Sequence, residues 1–258
     1  MDRELWLFNG MTLSNHSKWD VEEVIEGIGI PKVRGSNLQV PFQHGTRWVK
    51  KRYDRRKMVF SMWIKGKDRS ELDQNIDTFI RGVAKPGIHT LRRIGKNGEV
   101  REAQGELSSD INFVRKAPGY AKFALEIELP DPFFYGADEV IINETIGART
   151  HNWIHEYMGT APLISMEIKL VGPMTNPMLQ NTNNGIWVQY LGVINTGESV
   201  VLNTRDFSCI KEGENVITTV KHGGDAYWMV FESGTNNLKL TTETTGGTVE
   251  FRYHPSYF

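Results

Sequence analysis

The sequence predicts a mainly β protein with one helix in its first half, arranged as two domains. Three observations carry this. Alternation of apolar and polar residues with a period of two runs through most of the chain. A single apolar stripe has helical spacing. After about residue 160, turn signals recur roughly every 8–12 residues, the rhythm of a β-sandwich or jelly roll.

The strands follow from side chains that point alternately to the two faces. Phe123, Leu125, Ile127 and Leu129 alternate with Lys122, Ala124, Glu126 and Glu128, and Met58, Phe60, Met62 and Ile64 share a face in the same way. Val249, Phe251 and Tyr253 repeat the pattern near the C-terminus. Shorter strands are expected at Glu4 to Phe8, Leu163 to Val171, Ile186 to Leu191, Val200 to Asn203, Tyr227 to Phe231 and Leu238 to Leu240. Asn184-Gly185, Thr196-Gly197, Gly223-Gly224 and Gly246-Gly247 punctuate them. The helix is expected at about 69–83. Leu72, Ile76, Phe79, Ile80 and Val83 form its apolar stripe, Ser70 with Asp73 starts it, and Lys85-Pro86-Gly87 stops it. Domain boundaries are read at 1–136 and 161–258. The weakly periodic stretch 137–160 between them is read as a linker.

Bulk composition narrows the function classes. The chain has 258 residues, 39% hydrophobic and 24% charged, which describes a folded chain long enough for two domains. A formal net charge of −1 offers no global field to recruit nucleic acid or an anionic membrane. One cysteine, Cys209, rules out an internal disulfide framework, and its strand-like setting reads as a small core residue. No apolar run approaches the roughly 20 residues of a membrane span. Met1-Asp2-Arg3-Glu4-Leu5-Trp6 lacks the basic and apolar regions of a signal peptide, so synthesis in a cytoplasm is expected.

Candidate chemistry is sparse. His151 and His155 have the spacing of two zinc ligands on a helix face, but Asn152 stands where a metalloprotease has its glutamate, and a linker or interface role is favoured. Glu22-Glu23 and Glu128 with Asp131 are carboxylate pairs whose sequence proximity says nothing about catalytic separation. No nucleophile elbow, phosphate loop or dinucleotide fingerprint is present, so no catalytic, cofactor-binding or metal-ligating residues are assigned. The run Lys50-Lys51-Arg52-Tyr53-Asp54-Arg55-Arg56-Lys57 suits either a single-stranded nucleic-acid groove or an arm that meets acidic surfaces of a neighbour, and the arm is favoured. Glu22, Glu23 and Glu26 are its candidate partners. Trp187, Tyr190, Tyr227 and Trp228 are aromatics with stacking potential, although Trp187 and Tyr190 must lie on opposite strand faces. At Asp131-Pro132, proline ends the strand from Phe123, and Phe133, Phe134 and Tyr135 follow as three consecutive rings. These rings are read as packing the first domain against the linker or a neighbouring subunit. The candidate interface residues are therefore Lys50, Lys51, Arg52, Phe133, Phe134 and Tyr135.

The order of these features resembles a known family. Leu5-Trp6-Leu7-Phe8-Asn9-Gly10 is followed by Pro41-Phe42-Gln43-His44-Gly45, the basic strand, the helix, and Leu129-Pro130-Asp131-Pro132-Phe133-Phe134-Tyr135-Gly136. The second half runs from Gly159-Thr160-Ala161-Pro162-Leu163 through Val171-Gly172-Pro173, Asn176-Pro177 and Gly197-Glu198-Ser199-Val200 to Phe251-Arg252-Tyr253-His254-Pro255. This is similar to the distal tail (Dit) proteins of long, non-contractile-tailed bacteriophages, in a short form without an inserted carbohydrate-binding module. The resemblance implies a β-sandwich-like N-terminal domain that forms a ring and a C-terminal galectin-like β-sandwich. It also implies a homo-hexameric, non-enzymatic hub in the virion, needing no cofactor and joining the tail tube to the tip. The implied partners are the tail tube protein, a tail-associated tip protein, the tape measure protein and a receptor-binding protein, with neither specific nucleic-acid binding nor membrane insertion. A carbohydrate-binding adhesin at the host surface is the alternative.

Overall fold

A computed structural model describes residues 4–258; Met1-Asp2-Arg3, part of the stretch where no signal peptide is read, lie outside the described residues. The protein is mainly β with one α-helix, and it divides into two units, Met1–Tyr135 with Phe258, and Gly136–Tyr257.

The first unit contains β1 (Leu5–Phe8), β2 (Met11–Thr12), β3 (Trp19–Glu26), β4 (Val33–Arg34), β5 (Arg52–Tyr53), β6 (Arg56–Lys65), α1 (Arg69–Val83), β7 (His89–Ile94), β8 (Val100–Leu107), β9 (Val114–Ala117) and β10 (Tyr120–Leu129), and β11 (Phe134–Gly136) begins in it. Its main sheet has the order β2-β1-β7-β8-β10-β6-β3, with β9 also on β10 and β11 on β8. The two strands with the clearest alternation pair along their full length, Tyr120 opposite Lys65 through to Leu129 opposite Arg56. Their bulky residues, Phe123 to Leu129 and Met58 to Ile64 at every second position, are buried. Bulky alternating side chains are what a half-buried antiparallel pair needs on its inner face.

The helix covers this inner face over the predicted span, but its details differ from expectation. Asp68, still extended, is the N-cap: its carboxylate accepts from the Glu71 amide at 2.9 Å, and the Glu71 carboxylate accepts from the Lys67 amide at 2.9 Å. Ser70 is already helical, so the start lies two residues earlier than its pairing with Asp73 suggested. Leu72, Phe79 and Val83 are buried, whereas Ile80 turns outward. Asn75 takes a buried place and donates to the Lys65 carbonyl at 2.9 Å. Phe79 meets Trp19 and Phe123 edge-on at 5.6 and 4.9 Å, locking the helix to the sheet.

The second unit contains β12 (Val140–Thr145), β13 (Thr150–Tyr157), β14 (Glu167–Val171), β15 (Met174–Thr175), β16 (Met178–Asn181), β17 (Ile186–Tyr190), β18 (Val193–Ile194), β19 (Ser199–Asn203), β20 (Ser208–Lys211), β21 (Glu214–Asn215), β22 (Val220–Gly223), β23 (Gly234–Thr241), β24 (Thr248–Tyr253) and β25 (Ser256–Tyr257). Two sheets, β12-β24-β14-β19-β20-β21 and β13-β23-β16-β17-β22, bury one core between them. Ile168, Leu170, Val200, Leu202, Val249 and Phe251 line it from the first sheet, and Leu179, Val188, Leu238 and Leu240 from the second. Cys209 is buried there too, and burial pushes its thiol up to about 11, the state of an inert core residue.

The stretch 137–160 is not a linker. It supplies an edge strand to each sheet, β12 on β24 and β13 on β23, and places Ile146 and Tyr157 in the core. His151 and His155 therefore sit on a strand and not on a helix. Four residues along a strand separates them by roughly 13 Å, too far to share a metal. Each has its own partner: His151 Nε2 lies 2.8 Å from Glu144, and His155 Nε2 lies 3.0 Å from the Tyr253 hydroxyl.

Candidate assembly surface

Between β3 and β6 the chain leaves the first unit's sheet as an arm. Gly27 turns it out at φ +97°, packed so closely that a Cβ there would stand 2.4 Å from the Lys57 carbonyl oxygen. Both the left-handed backbone and the missing side chain are thus required. The base of the arm is the short hairpin of β4 and β5, Val33 opposite Tyr53 and Arg34 opposite Arg52. Farther out, Leu38 and Arg47 exchange two backbone hydrogen bonds of 2.9 and 2.8 Å. The tip turns at Phe42, at φ +62°.

Every residue from Pro41 to Lys50 is exposed, Phe42 completely and Trp48 to 72%. Ile28, Ile30, Val33, Leu38 and Val49 are exposed as well. Between Gly27 and Tyr53 the arm carries Lys32, Arg34, Arg47, Lys50, Lys51 and Arg52 and no acidic residue. An exposed segment this apolar and this uniformly basic is built for an acidic or mixed surface.

The root of the arm is rigid. Tyr53 packs edge-on against Phe133 at 5.6 Å and against Phe258 at 5.2 Å. Arg56, almost fully buried, donates from Nη1 to the Gly27 carbonyl at 3.3 Å and lies over the Phe134 ring at 5.4 Å. Burial pulls its guanidinium down to about 10, partly offset by Asp131. Phe134 also meets Trp6 edge-on at 6.2 Å.

The sequence-predicted interface residues therefore separate into two groups. Lys50 and Lys51 are exposed on the arm, and Arg52 is half-buried at its base. Phe133 and Phe134 are 5% and 3% exposed inside the first unit, which leaves almost no ring surface for a linker or a neighbour. Their role is corrected: they hold the root from which the basic residues project. Tyr135 is half-buried and donates its hydroxyl to Asp131 at 2.8 Å.

Of the acidic partners expected for the basic run, Glu22 is engaged within the subunit. Lys122 holds Glu22 at 2.8 Å, and that bond sets the Glu22 carboxyl below its ordinary value. Arg55 meets Glu128 and Lys57 meets Glu126, each at 2.7 Å. Glu23 and Glu26 are exposed on β3. The sheet's outer face also has an open groove of about 680 Å³, floored by Ser61 and Ala124 and flanked by Ile25, Val114, Asp110 and Glu126. The exposed aromatics Phe42 and Trp48 were missed in the sequence, where the readable signal was a long acid-free stretch without periodicity. Among the described residues, no cluster of three or more His, Cys, Asp or Glu side chains is placed to hold a metal, and no helix is long and apolar enough to cross a membrane.

No protein-family profile and no curated protein sequence matches the chain. Solved structures do. The chain superposes on the SPP1 Dit protein (gp 19.1), described as a paradigm of the hub adsorption apparatus in phages infecting Gram-positive bacteria. The TM-score is 0.68 with 14% identity, over 98% of this chain and 99% of that one. Proteins of the phage P2 baseplate in its activated conformations with calcium and strontium align over 98% of both chains with a TM-score of 0.43, at 9% and 10% identity. The fold is Dit-like from end to end.

Proposed function

We propose that this chain is the hub of a siphophage tail tip, a structural virion component that assembles into a closed homo-hexameric ring and acts without catalysis of its own. The end-to-end likeness to SPP1 Dit carries the reading, since both units and their order match over nearly the whole of each chain. The arm supplies the means of assembly. A ring needs heterologous contacts, in which one patch meets a different patch on the next copy. Phe42, Trp48, Lys50, Lys51 and Arg52 form the projecting patch. The exposed Glu23 and Glu26 with the adjoining groove of Ile25, Ser61, Asp110 and Val114 form the receiving one. In the tail the ring joins the tube to the adsorption apparatus and binds the tip, tape measure and receptor-binding proteins.

Native mass spectrometry and negative-stain imaging of the purified chain test this. Sixfold rings are expected, and they should dissociate when Phe42 and Trp48 become serine or when Lys50, Lys51 and Arg52 become glutamate, with the melting of both units preserved. A chain that stays monomeric at tens of micromolar overturns the ring, and rings indifferent to both sets of substitutions overturn the arm as their joint.

A further inference from the structure

Trp187 and Tyr190 part company in the second unit: Tyr190 is buried, while Trp187 stands on the outer face of its sheet. There it faces Gly223, its register partner on β22. A Cβ on Gly223 would stand 2.7 Å from both Nε1 and Cε2 of the indole and 2.8 Å from Cζ2. These three atoms are neighbours along one side of the indole, so that edge of the ring lies over the glycine. Gly223 does not have a positive φ, so the ring and not the backbone demands glycine here. The result is an indole held over the outer face of the sheet beside β22 and partly exposed there.

The registers extend this into a row. Trp187 is opposite Gln180, Gln180 opposite Lys239, and Lys239 opposite Asn152, all on the outer face. The side chains of Gln180, Lys239 and Asn152 and the indole Nε1 have no hydrogen-bond partner among the described residues. The next row holds Thr150, Thr241, Met178, Gln189 and Lys221. Together the two rows carry two lysines and no carboxylate. Cover for an edge-strand glycine explains the place of the ring alone. It does not explain a line of free amides and an ammonium running away from it across three strands.

We propose that this row is a glycan site for an anionic oligosaccharide. The C–H face of one pyranose stacks on Trp187, Gln180 bonds its hydroxyls, and Lys239, two strands or roughly 10 Å away, takes a carboxylate or phosphate on the adjoining unit, whose hydroxyls Asn152 bonds from the next strand. The spacing matches two linked sugars. This goes beyond the hub reading and does not depend on ring formation.

The test uses the full chain, with saturation-transfer NMR and calorimetry. The probes are trigalacturonate, its methyl ester and short poly(glycerol phosphate). Trigalacturonate should bind and its ester should bind roughly tenfold more weakly, as loss of a charge-assisted hydrogen bond implies. Weakening by roughly three- to tenfold is expected for Trp187→Ala, the scale of one aromatic contact, with Trp187→Phe intermediate. Lys239→Gln, which leaves the sheet packing untouched, should erase the preference for the acid over the ester. Stronger binding of poly(glycerol phosphate), which has no pyranose to stack on Trp187, than of trigalacturonate would show a charge site without a sugar platform and overturn the proposal, and the reverse supports a uronate. No binding of either anionic probe at millimolar concentration, equal binding of acid and ester, or binding indifferent to both Trp187→Ala and Lys239→Gln overturns the proposal.

Discussion

Replacing Phe134 with alanine separates a ring that holds the first unit together from a ring kept for a partner. Phe134 is 3% exposed, meets Trp6 edge-on at 6.2 Å, and lies under the Arg56 guanidinium at 5.4 Å. Truncating a buried phenylalanine costs about 3–5 kcal/mol through lost transfer energy and the cavity left behind. Within that, the aromatic contact accounts for about 1 kcal/mol and the cation–π contact, being desolvated, for about 1–2 kcal/mol. With an unfolding entropy of about 2.1 cal/mol/K per residue, a unit of this size loses about 3.5 °C in Tm per kcal/mol. A drop of about 10–17 °C in the first unit's transition is therefore expected. Differential scanning calorimetry at low protein concentration, where assembly does not contribute, measures it, and the second unit's transition should stay in place. A double-mutant cycle with Trp6→Ala should return a coupling of about 1 kcal/mol. A shift below about 3 °C, or one that appears only where rings form, would show that Phe134 serves an interface after all.

Two further outcomes are expected. Gly27→Ala must adopt a left-handed backbone and also displace the Lys57 carbonyl, so it should cost about 2–3 kcal/mol and loosen the arm, seen as faster proteolytic cleavage between Ile28 and Tyr53. Burial holds the His155 imidazole below its ordinary 6.5, with Glu156 opposing. Its contribution to stability is thus complete above pH 6.5 and declines as pH falls from there towards the lowered folded value, since the unfolded chain takes up the proton more readily. Thermal melts between pH 7.5 and 5 should show this decline in the second unit, and His155→Gln should flatten it.

What could be read from the sequence followed the size of the inward side chains. The β6–β10 pair announced itself because every inner position holds Met, Phe, Leu or Ile. The edge strands β12 and β13 hid because Glu144, His151 and His155 occupy inner positions, where they satisfy one another or Tyr253. Polar residues there erase the alternation that signals a strand. Phe133 and Phe134 were misassigned for a different reason. Three consecutive rings do overload one strand face, but at this turn the Asp131 carboxylate accepts from the Phe133 amide at 3.2 Å, and the two rings go to different neighbours, Tyr53 and Trp6. The arm's sequence has no periodicity because nearly every residue from Ile28 to Lys51 is exposed. Register alone places Trp187 beside Gln180, Lys239 and Asn152, and register is invisible until the strands are paired.

Phe258 belongs to the first unit, where it packs on Tyr53 and Phe133, although all of Gly136–Tyr257 intervenes. On a ribosome adding roughly 5–20 residues per second, the arm's aromatic root stays incomplete for roughly 6–25 seconds after Tyr135 has been made. During that time the sandwich can form on its own, while the nascent arm lacks one ring of its footing. Translation order thus keeps the root of a sticky, basic projection incomplete until Phe258 has been added. Fragments truncated before Phe258 would keep the arm but lack this ring of its root.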